Sequence, residues 1–289
     1  MKGHSIFYFV ISCFFFAAMS ALSKALSSEL HPTALVLLRN AGALILTLPA
    51  LIKHRPEIGN LVFSKLIWQR ALLSQIAVTC WFMGLSLVDL SPAMAMSFLT
   101  PLFTTFAAVV FLGEIIDKRV WVGLFIGFFG VLIILNPFQA AVSLTGYAWV
   151  FGAVLCWSLA HVVIKKLSTS VTPLVILFFM MSMMTLFSLP LGILNWKTPL
   201  SGQYLQIALL ALSAFFWQWY LVKAMMHNQL SALQPFDFSK LIFASVIGYF
   251  VFNELLSFQL FAGSFLILVS AFYIAWQGKT KNCEGGGKC

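Results

Sequence analysis

Charged residues are scarce in this chain: Asp, Glu, Lys and Arg make up 9% of its 289 residues, and 61% of the residues are hydrophobic. Soluble domains typically carry about 25% charged residues, so a soluble globular fold is excluded. The apolar stretches are roughly 20 residues long, which is enough for a helix to cross a bilayer. They do not alternate polar and apolar residues, which excludes the strands of a membrane barrel.

The chain also lacks the motifs of metal, nucleotide and catalytic sites. Its five cysteines show neither a metal-ligand spacing nor an obvious disulfide pair. Gly123, Gly127 and Gly130 follow no strand and no polar phosphate site, so we interpret them as a helix-packing ridge or, alternatively, a homodimer contact. No HExxH, paired intramembrane aspartates or clustered nucleophile and base is present. The sequence therefore predicts no metal, no cofactor and no enzymatic activity.

Acidic residues are outnumbered by basic ones, 8 against 17. The basic residues are distributed among the loops, which excludes a nucleic-acid surface. If the N-terminus is cytoplasmic, most basic residues lie on the inner side, and only Lys24 and Lys197 fall outside. This bias satisfies the positive-inside rule. We therefore expect a multi-pass protein of the bacterial inner (cell) membrane, in contact with the lipid bilayer, with both termini cytoplasmic.

The apolar stretches predict ten membrane spans joined by short connections. The first could be mistaken for a secretory signal, but a later stretch repeats it, so it is retained as a span. The predicted spans are residues 5–26, 33–52, 68–88, 92–112, 119–136, 146–165, 173–194, 203–226, 231–252 and 257–276.

One pattern of residues occurs twice in the chain. At an offset of 140 or 141 residues, helix caps, prolines and helix-end carboxylates keep the same register. This repetition predicts a first five-helix repeat over residues 1–138, a second over 139–278, and a disordered cytoplasmic tail over 279–289. The matching positions are Lys24, Pro32, Leu90, Phe103, Glu114 and Gly123 in the first copy and Lys165, Pro173, Leu230, Phe243, Glu254 and Gly263 in the second.

An odd number of spans per copy places the second copy upside down in the membrane. The predicted fold is therefore all-α and polytopic, with ten transmembrane helices arranged as two inverted five-helix repeats. Inverted repeats suit alternating access, because one conformation opens inward and its pseudo-symmetric counterpart opens outward. An anchor, a receptor or an enzyme has no need of such symmetry.

Several short motifs resemble those of the drug/metabolite transporter superfamily, EamA type. The resemblance covers residues from about 5 to 276 and implies a polytopic carrier with a central cavity, with no particular cargo. Members move amino acids and their derivatives, purines, vitamins, S-adenosylmethionine and other metabolites. The motifs are Ser91-Pro92-Ala93, Pro101-Leu102 and Gly113-Glu114 in the first copy, and Pro235-Phe236-Asp237-Phe238, Gly248-Tyr249 and Asn253-Glu254 in the second.

Four ionisable residues lie well inside predicted spans: Arg39, His161, Asp237 and Lys240. Such groups are costly in a bilayer and usually face a cavity or a partner. None of them recurs as a charge in the other repeat, which favours a role in substrate binding. Asp237 and Lys240 are three residues apart on one helical face and can neutralise each other. The alternative is a purely structural salt bridge.

Arg39 would then remain as an uncompensated cation that could hold a carboxylate or phosphate through a bidentate fork. The alternatives are pairing with Asp89 or Glu254, or extension to the outer headgroups. His161, on the same face as Trp157, could titrate during proton-coupled transport. A hydrogen-bonded packing histidine is the other interpretation.

Trp81, Trp217 and Gln218 could form a flat-sided cage for a ring or a cation. Core packing or an interfacial belt is the alternative for any single tryptophan. Together these observations predict a secondary transporter for a small polar metabolite, such as an amino acid derivative or a nucleoside-type metabolite. An integral-membrane enzyme and a channel-like pore are the alternatives. The candidate substrate-binding residues are Arg39, Trp81, His161, Trp217, Gln218, Asp237 and Lys240.

Overall fold

A computed structural model describes residues 3–48, 65–112, 122, 125–126, 129–130, 132–133, 143–167, 173–227, 237, 239–253, 258–259, 261–266 and 269–270. Over these residues the chain forms helices and short turns, without strands. The helices are α1 (Gly3–Leu26), α2 (Pro32–Thr47), α3 (Lys65–Leu85), α4 (Leu90–Ser97), α5 (Leu99–Leu112), α6 (Leu144–Leu167), α7 (Pro173–Leu194), α8 (Gln203–His227) and α9 (Ser239–Phe252).

These helices coincide with eight of the ten predicted spans, with α4 and α5 together forming the fourth. Within the described ranges, four stretches are long and apolar enough to cross a membrane on their own: Ser5–Leu26, Leu144–Val163, Leu174–Leu194 and Gln203–Ala224. Most of the predicted span at 119–136, half of the span at 257–276 and all of the tail at 279–289 lie outside the described residues. Gly123 and Gly127 also lie outside them.

Local sequence accounts for the start of α2 and for the break between α4 and α5. Extended backbone at His31 lets its ring accept a hydrogen bond from the Thr33 N–H, and Pro32 follows at the first helical position, where no N–H is needed. The break lies at Phe98. Pro101 has no N–H to donate to the Ser97 carbonyl, so an interruption or bend is expected at this point.

The packing of the described helices is symmetric under exchange of the two repeats. The α3–α6 contact has its counterpart in α8–α1, and the α1–α9 contact has its counterpart in α6 with α4 and α5. The α2–α8 contact likewise corresponds to α7–α3, while α2 and α7 pack against each other. This pattern is the one that two copies of one unit related by a pseudo-two-fold axis produce.

The ends and turns expected on the outer side meet at one end of the bundle. The Lys24 ammonium lies 2.8 Å from an Asp89 carboxylate oxygen and donates to the Val88 carbonyl oxygen at 3.1 Å. The same ammonium is 5.6 Å from the centre of the Phe252 ring at the end of α9. Lys197, after α7, donates to the Glu29 carbonyl oxygen at 3.1 Å. The outer end therefore joins the last turns of α1, α3, α7 and α9.

Gly84 allows α3 and α6 to approach closely. A methyl group added there would lie 2.6 Å from Val150 Cγ2 and 3.2 Å from the Gly146 carbonyl oxygen. We therefore expect Gly84→Ala to cost about 1–3 kcal/mol through overpacking. Thermal unfolding of the detergent-solubilised protein, followed by size-exclusion chromatography, measures this loss.

Gly152→Ala is the matched control on the facing helix, because its added methyl group would be 3.7 Å from Cys80 Sγ, an ordinary contact. A Tm that falls equally in both variants would contradict close packing at Gly84.

Candidate functional site

Four aromatic rings from α1, α3, α6 and α8 meet at the centre of the bundle. We call Phe16, Trp81, Trp157 and Trp217 the aromatic cluster. The Phe16 ring lies 5.3 Å from Trp81, 5.5 Å from Trp157 and 4.8 Å from Trp217, measured between ring centroids. Trp157 in turn lies 5.3 Å from Trp81 and 6.0 Å from Trp217. The structure thus brings the predicted Trp81 and Trp217 into one group through two further rings.

Phe16 and Trp157 occupy equivalent positions in the two repeats, since 157 − 16 = 141 is the offset of this part of the chain. Each of them contacts both of the other rings, so their contact lies where the pseudo-two-fold axis crosses the bundle. Trp81 is fully buried, and its indole N–H donates to Ser20 Oγ at 3.0 Å. Neither Phe16 nor Trp157 was predicted as a site residue, although the offset pairs two aromatic residues there.

Arg39 is completely buried in α2, and its guanidinium carbon lies 5.7 Å from the Trp217 ring centroid. Its Nη1 donates to Asn40 Oδ1 at 2.7 Å. Within the described part of the chain, its Nε and Nη2 atoms have no hydrogen-bond partner. These two nitrogens form one edge of the guanidinium fork, the geometry that binds a carboxylate through two parallel bonds. Pairing with Asp89 does not occur, because that residue binds Lys24, and Glu254 lies outside the described residues.

A polar network holds the partner of Arg39 in place. The Asn40 amide nitrogen donates to Gln75 Oε1 at 2.9 Å and lies 3.3 Å from the Met184 carbonyl oxygen and 3.4 Å from Ser188 Oγ. Asn40 therefore links α2 to α3 and α7, and its amide oxygen stays directed at Arg39. The sequence analysis did not identify these polar residues as part of a site. Asparagine, glutamine and serine are common in membrane helices, where they often serve only helix packing.

Asp237 and Lys240 form the ion pair that their spacing predicts. The Lys240 ammonium lies 2.5 Å from an Asp237 carboxylate oxygen, and both side chains are largely buried. The ammonium also lies 5.0 Å from the centroid of the Phe16 ring. Lys240 therefore contacts the aromatic cluster at Phe16, whereas Arg39 contacts it at Trp217. The two cations thus flank the cluster, but only Lys240 has a carboxylate beside it among the described residues.

His161 and Gln218 each bury a polar atom that lacks a partner. His161 Nδ1 and Gln218 Oε1 form no hydrogen bond with any residue that the structure describes. The interpretation of His161 as a hydrogen-bonded packing residue therefore receives no support from Nδ1 within this part of the protein. Buried polar atoms are usually satisfied, so such groups require an explanation, for which a bound molecule is one candidate.

The described residues contain no group of three or more His, Cys, Asp or Glu side chains placed to hold a metal ion. They contain instead two pseudo-symmetric sets of apolar helices that bring buried cations, an ion pair and four aromatic rings to their shared centre. This architecture is typical of membrane transporters that are built from two repeats and bind their substrate between them.

The EamA-like transporter family matches residues 4–136 and 144–276, and the chain belongs to this family. It is therefore a multi-pass inner-membrane protein of a family of metabolite transporters.

Several relatives span nearly the whole chain. An S-adenosylmethionine uptake transporter of Rickettsia prowazekii (strain Madrid E) is 26% identical over 284 residues, covering 96% of this chain and 94% of the relative. A riboflavin transporter of Vibrio cholerae is 28% identical, covering 93% and 92%. The pseudopaline exporter CntI of Pseudomonas aeruginosa is 24% identical, covering 92% and 94%. These proteins carry different substrates in both directions.

A solved crystal structure shares the fold. It has a TM-score of 0.72 and covers 97% of this chain and 99% of its own, at 15% sequence identity. At this level of identity the similarity concerns the fold alone.

Proposed function

We propose that this protein is a secondary transporter that moves a small carboxylate-bearing metabolite across the inner membrane by alternating access. The observation that carries the proposal is the Nε and Nη2 edge of Arg39, which is buried beside Trp217 without a described partner. A buried guanidinium is costly unless it is paired. The carboxylate of a cargo would supply the two missing hydrogen bonds and the missing charge.

The aromatic cluster would bind the rest of the cargo. Trp217 lies between Arg39 and Phe16, so a carboxylate on Arg39 places the attached group against flat apolar faces. Such faces suit a ring, or a cation that interacts with the negative face of an aromatic ring. S-adenosylmethionine, an amino acid conjugate and an aromatic amino acid combine these features. An inorganic cation does not.

The symmetric packing supports the alternating mechanism. Because α3–α6 and α8–α1 are equivalent contacts, a rearrangement that opens one end has a counterpart of similar energy at the other. The aromatic cluster lies between these two contacts and would stay near the axis during both. Energy would come from the cargo gradient, from exchange or from protons.

Counterflow into proteoliposomes tests the function directly. Purified protein would be tested with S-adenosylmethionine, riboflavin, tryptophan, an amino acid conjugate and a monovalent metal cation. We expect saturable uptake, stimulated by the same compound inside, for one or more carboxylate-bearing ring compounds. Flux without stimulation from the opposite side would indicate a channel, and conversion of the compound would reveal an enzyme. Transport of the metal cation alone would overturn the proposed cargo class.

A further inference from the structure

A second arginine, Arg70 in α3, is buried in the same manner as Arg39. Its side chain is 3% exposed, and its Nη1 donates to Ser74 Oγ. The Ser74 hydroxyl in turn donates to the Arg70 carbonyl oxygen at 2.7 Å. Nε has no hydrogen-bond partner in the described part of the chain. In both arginines, therefore, a neighbouring polar side chain holds one terminal nitrogen and leaves Nε without a partner.

The antiparallel packing of α3 against α6 places Arg70 level with His161. Gly84 faces Gly146 and Val150, and Cys80 faces Gly152. Arg70 lies 14 residues before Gly84 in α3. The facing helix α6 runs in the opposite direction, and the stretch 14 residues after its residues 146–150 is 160–164, which includes His161. This register places Arg70 and the unpartnered Nδ1 of His161 at the same level of the α3–α6 contact.

This pair lies at a different level from Arg39. Asn40, next to Arg39, binds Gln75, and Arg70 precedes Gln75 by five residues along α3. At 1.5 Å per residue the backbone of Arg70 is displaced by about 7.5 Å along the helix axis. The displacement is away from the end of α3 that carries the Lys24–Asp89 ion pair. Arg70 thus lies on the predicted inner side of the aromatic cluster.

We propose that Arg70 and His161 form a second anion-binding position, toward the inner end of the path, for the anionic group of the cargo. This inference rests on the proposed function and extends it, since it gives the carboxylate one site at the centre and another nearer the inner end. Arg70 supplies the charge and its unpartnered Nε, and His161 supplies one further hydrogen bond. The carboxylate of Asp237 is engaged by Lys240, so it does not neutralise Arg70 in this arrangement.

Residue-level arginine footprinting tests the proposal. Protein in proteoliposomes would be modified with phenylglyoxal in sodium sulfate and in sodium chloride of equal ionic strength, and the adducts located by mass spectrometry. The chain has only four arginines, Arg39, Arg55, Arg70 and Arg119, so each is scored separately. We expect sulfate to reduce modification of Arg70 roughly tenfold and to change modification of Arg55 and Arg119 less than twofold.

Equal modification of Arg70 in both salts, or no reaction in either, would overturn the second position. Protection of Arg39 is a separate result. If Arg70 is protected and Arg39 is not, the proposed grip of Arg39 on the cargo fails while the second position stands.

Thermal unfolding of Arg70→Gln in the same two salts gives an independent measurement. Sulfate stabilises proteins in general by exclusion from their surfaces, so the difference between variants is the relevant quantity. We expect the increase in Tm caused by sulfate to be smaller in Arg70→Gln than in the unmodified protein. Lys65→Gln, at the exposed start of the same helix, should retain the full increase. If sulfate raises the Tm of Arg70→Gln as much as that of Lys65→Gln, the result counts against an anion bound at Arg70.

Discussion

Asp237→Asn is expected to cost about 3–5 kcal/mol of folding free energy, because it leaves Lys240 largely buried without its counter-charge. The reverse change, Lys240→Met, strands the carboxylate in the same way. The oppositely charged atoms are 2.5 Å apart, and both side chains are mostly withdrawn from solvent. Thermal unfolding in detergent would measure the loss, and counterflow would measure transport.

The double variant Asp237→Asn/Lys240→Met separates structure from function. With both charges removed, stability should return to within about 1 kcal/mol of the original, since a buried ion pair gains little over neutral residues of similar shape. If the pair serves the cargo, folded protein will accumulate and counterflow will remain absent. Full transport by the double variant would remove both residues from the site.

An exposed pair at the outer end provides the control. The Lys24 ammonium and an Asp89 carboxylate oxygen lie 2.8 Å apart, but the Asp89 side chain is 71% exposed. Asp89→Asn should therefore cost no more than about 1 kcal/mol. A loss at Asp89 as large as that at Asp237 would show that burial does not set the cost of breaking these pairs.

Arg39→Gln is expected to raise the half-saturation concentration of a carboxylate-bearing cargo tenfold or more. A hydrogen bond to a charged group contributes about 1.5–3 kcal/mol, and 1.4 kcal/mol corresponds to a factor of ten. The same substitution should affect the methyl ester of that cargo far less, since the ester has no anionic group for the fork. Counterflow with the acid and the ester, measured on the same preparation, checks this result.

Two variants control for other roles of Arg39. Arg39→Lys keeps the charge but not the fork, so it should bind the acid more weakly than the original protein and better than Arg39→Gln. Lys223→Gln removes another cation that lies over a tryptophan, 4.6 Å from the Trp219 ring centroid. It should leave the acid-to-ester ratio unchanged. Equal losses for acid and ester in folded Arg39→Gln would show that the arginine supports the helix bundle only.

The sequence was a good guide to the helices and to the isolated charges. Apolar length predicted the spans that α1–α9 occupy, and the interruption near Pro101 follows from its missing N–H. The Asp237–Lys240 pair followed from a three-residue spacing within one helical face, which is a local relationship. These features depend on residues close together in the chain, so the sequence contains the information needed to predict them.

The composition of the site was harder to predict. Arg70 is one of the basic residues that the positive-inside bias assigns to the inner side, whereas the structure buries its side chain within α3. In the sequence, Asn40 and Gln75 resemble ordinary polar packing residues. Only the structure shows that the Asn40 amide donates a hydrogen bond to the Gln75 amide oxygen. In a membrane protein the lipid-facing and protein-facing sides of a helix are both apolar, so hydrophobic periodicity does not identify the buried face.

The sequence by itself determined that the chain is a helical membrane protein built from two copies of one unit, because apolar length and a repeat offset are properties of the chain alone. Only the tertiary structure decided which aromatic rings meet at the axis. Phe16, Trp81, Trp157 and Trp217 come from four helices, and their contacts depend on how those helices cross. It also decided that Arg39 keeps one edge without a described partner, since Asn40 takes only Nη1 and Asp89 binds Lys24 at the outer end of the bundle.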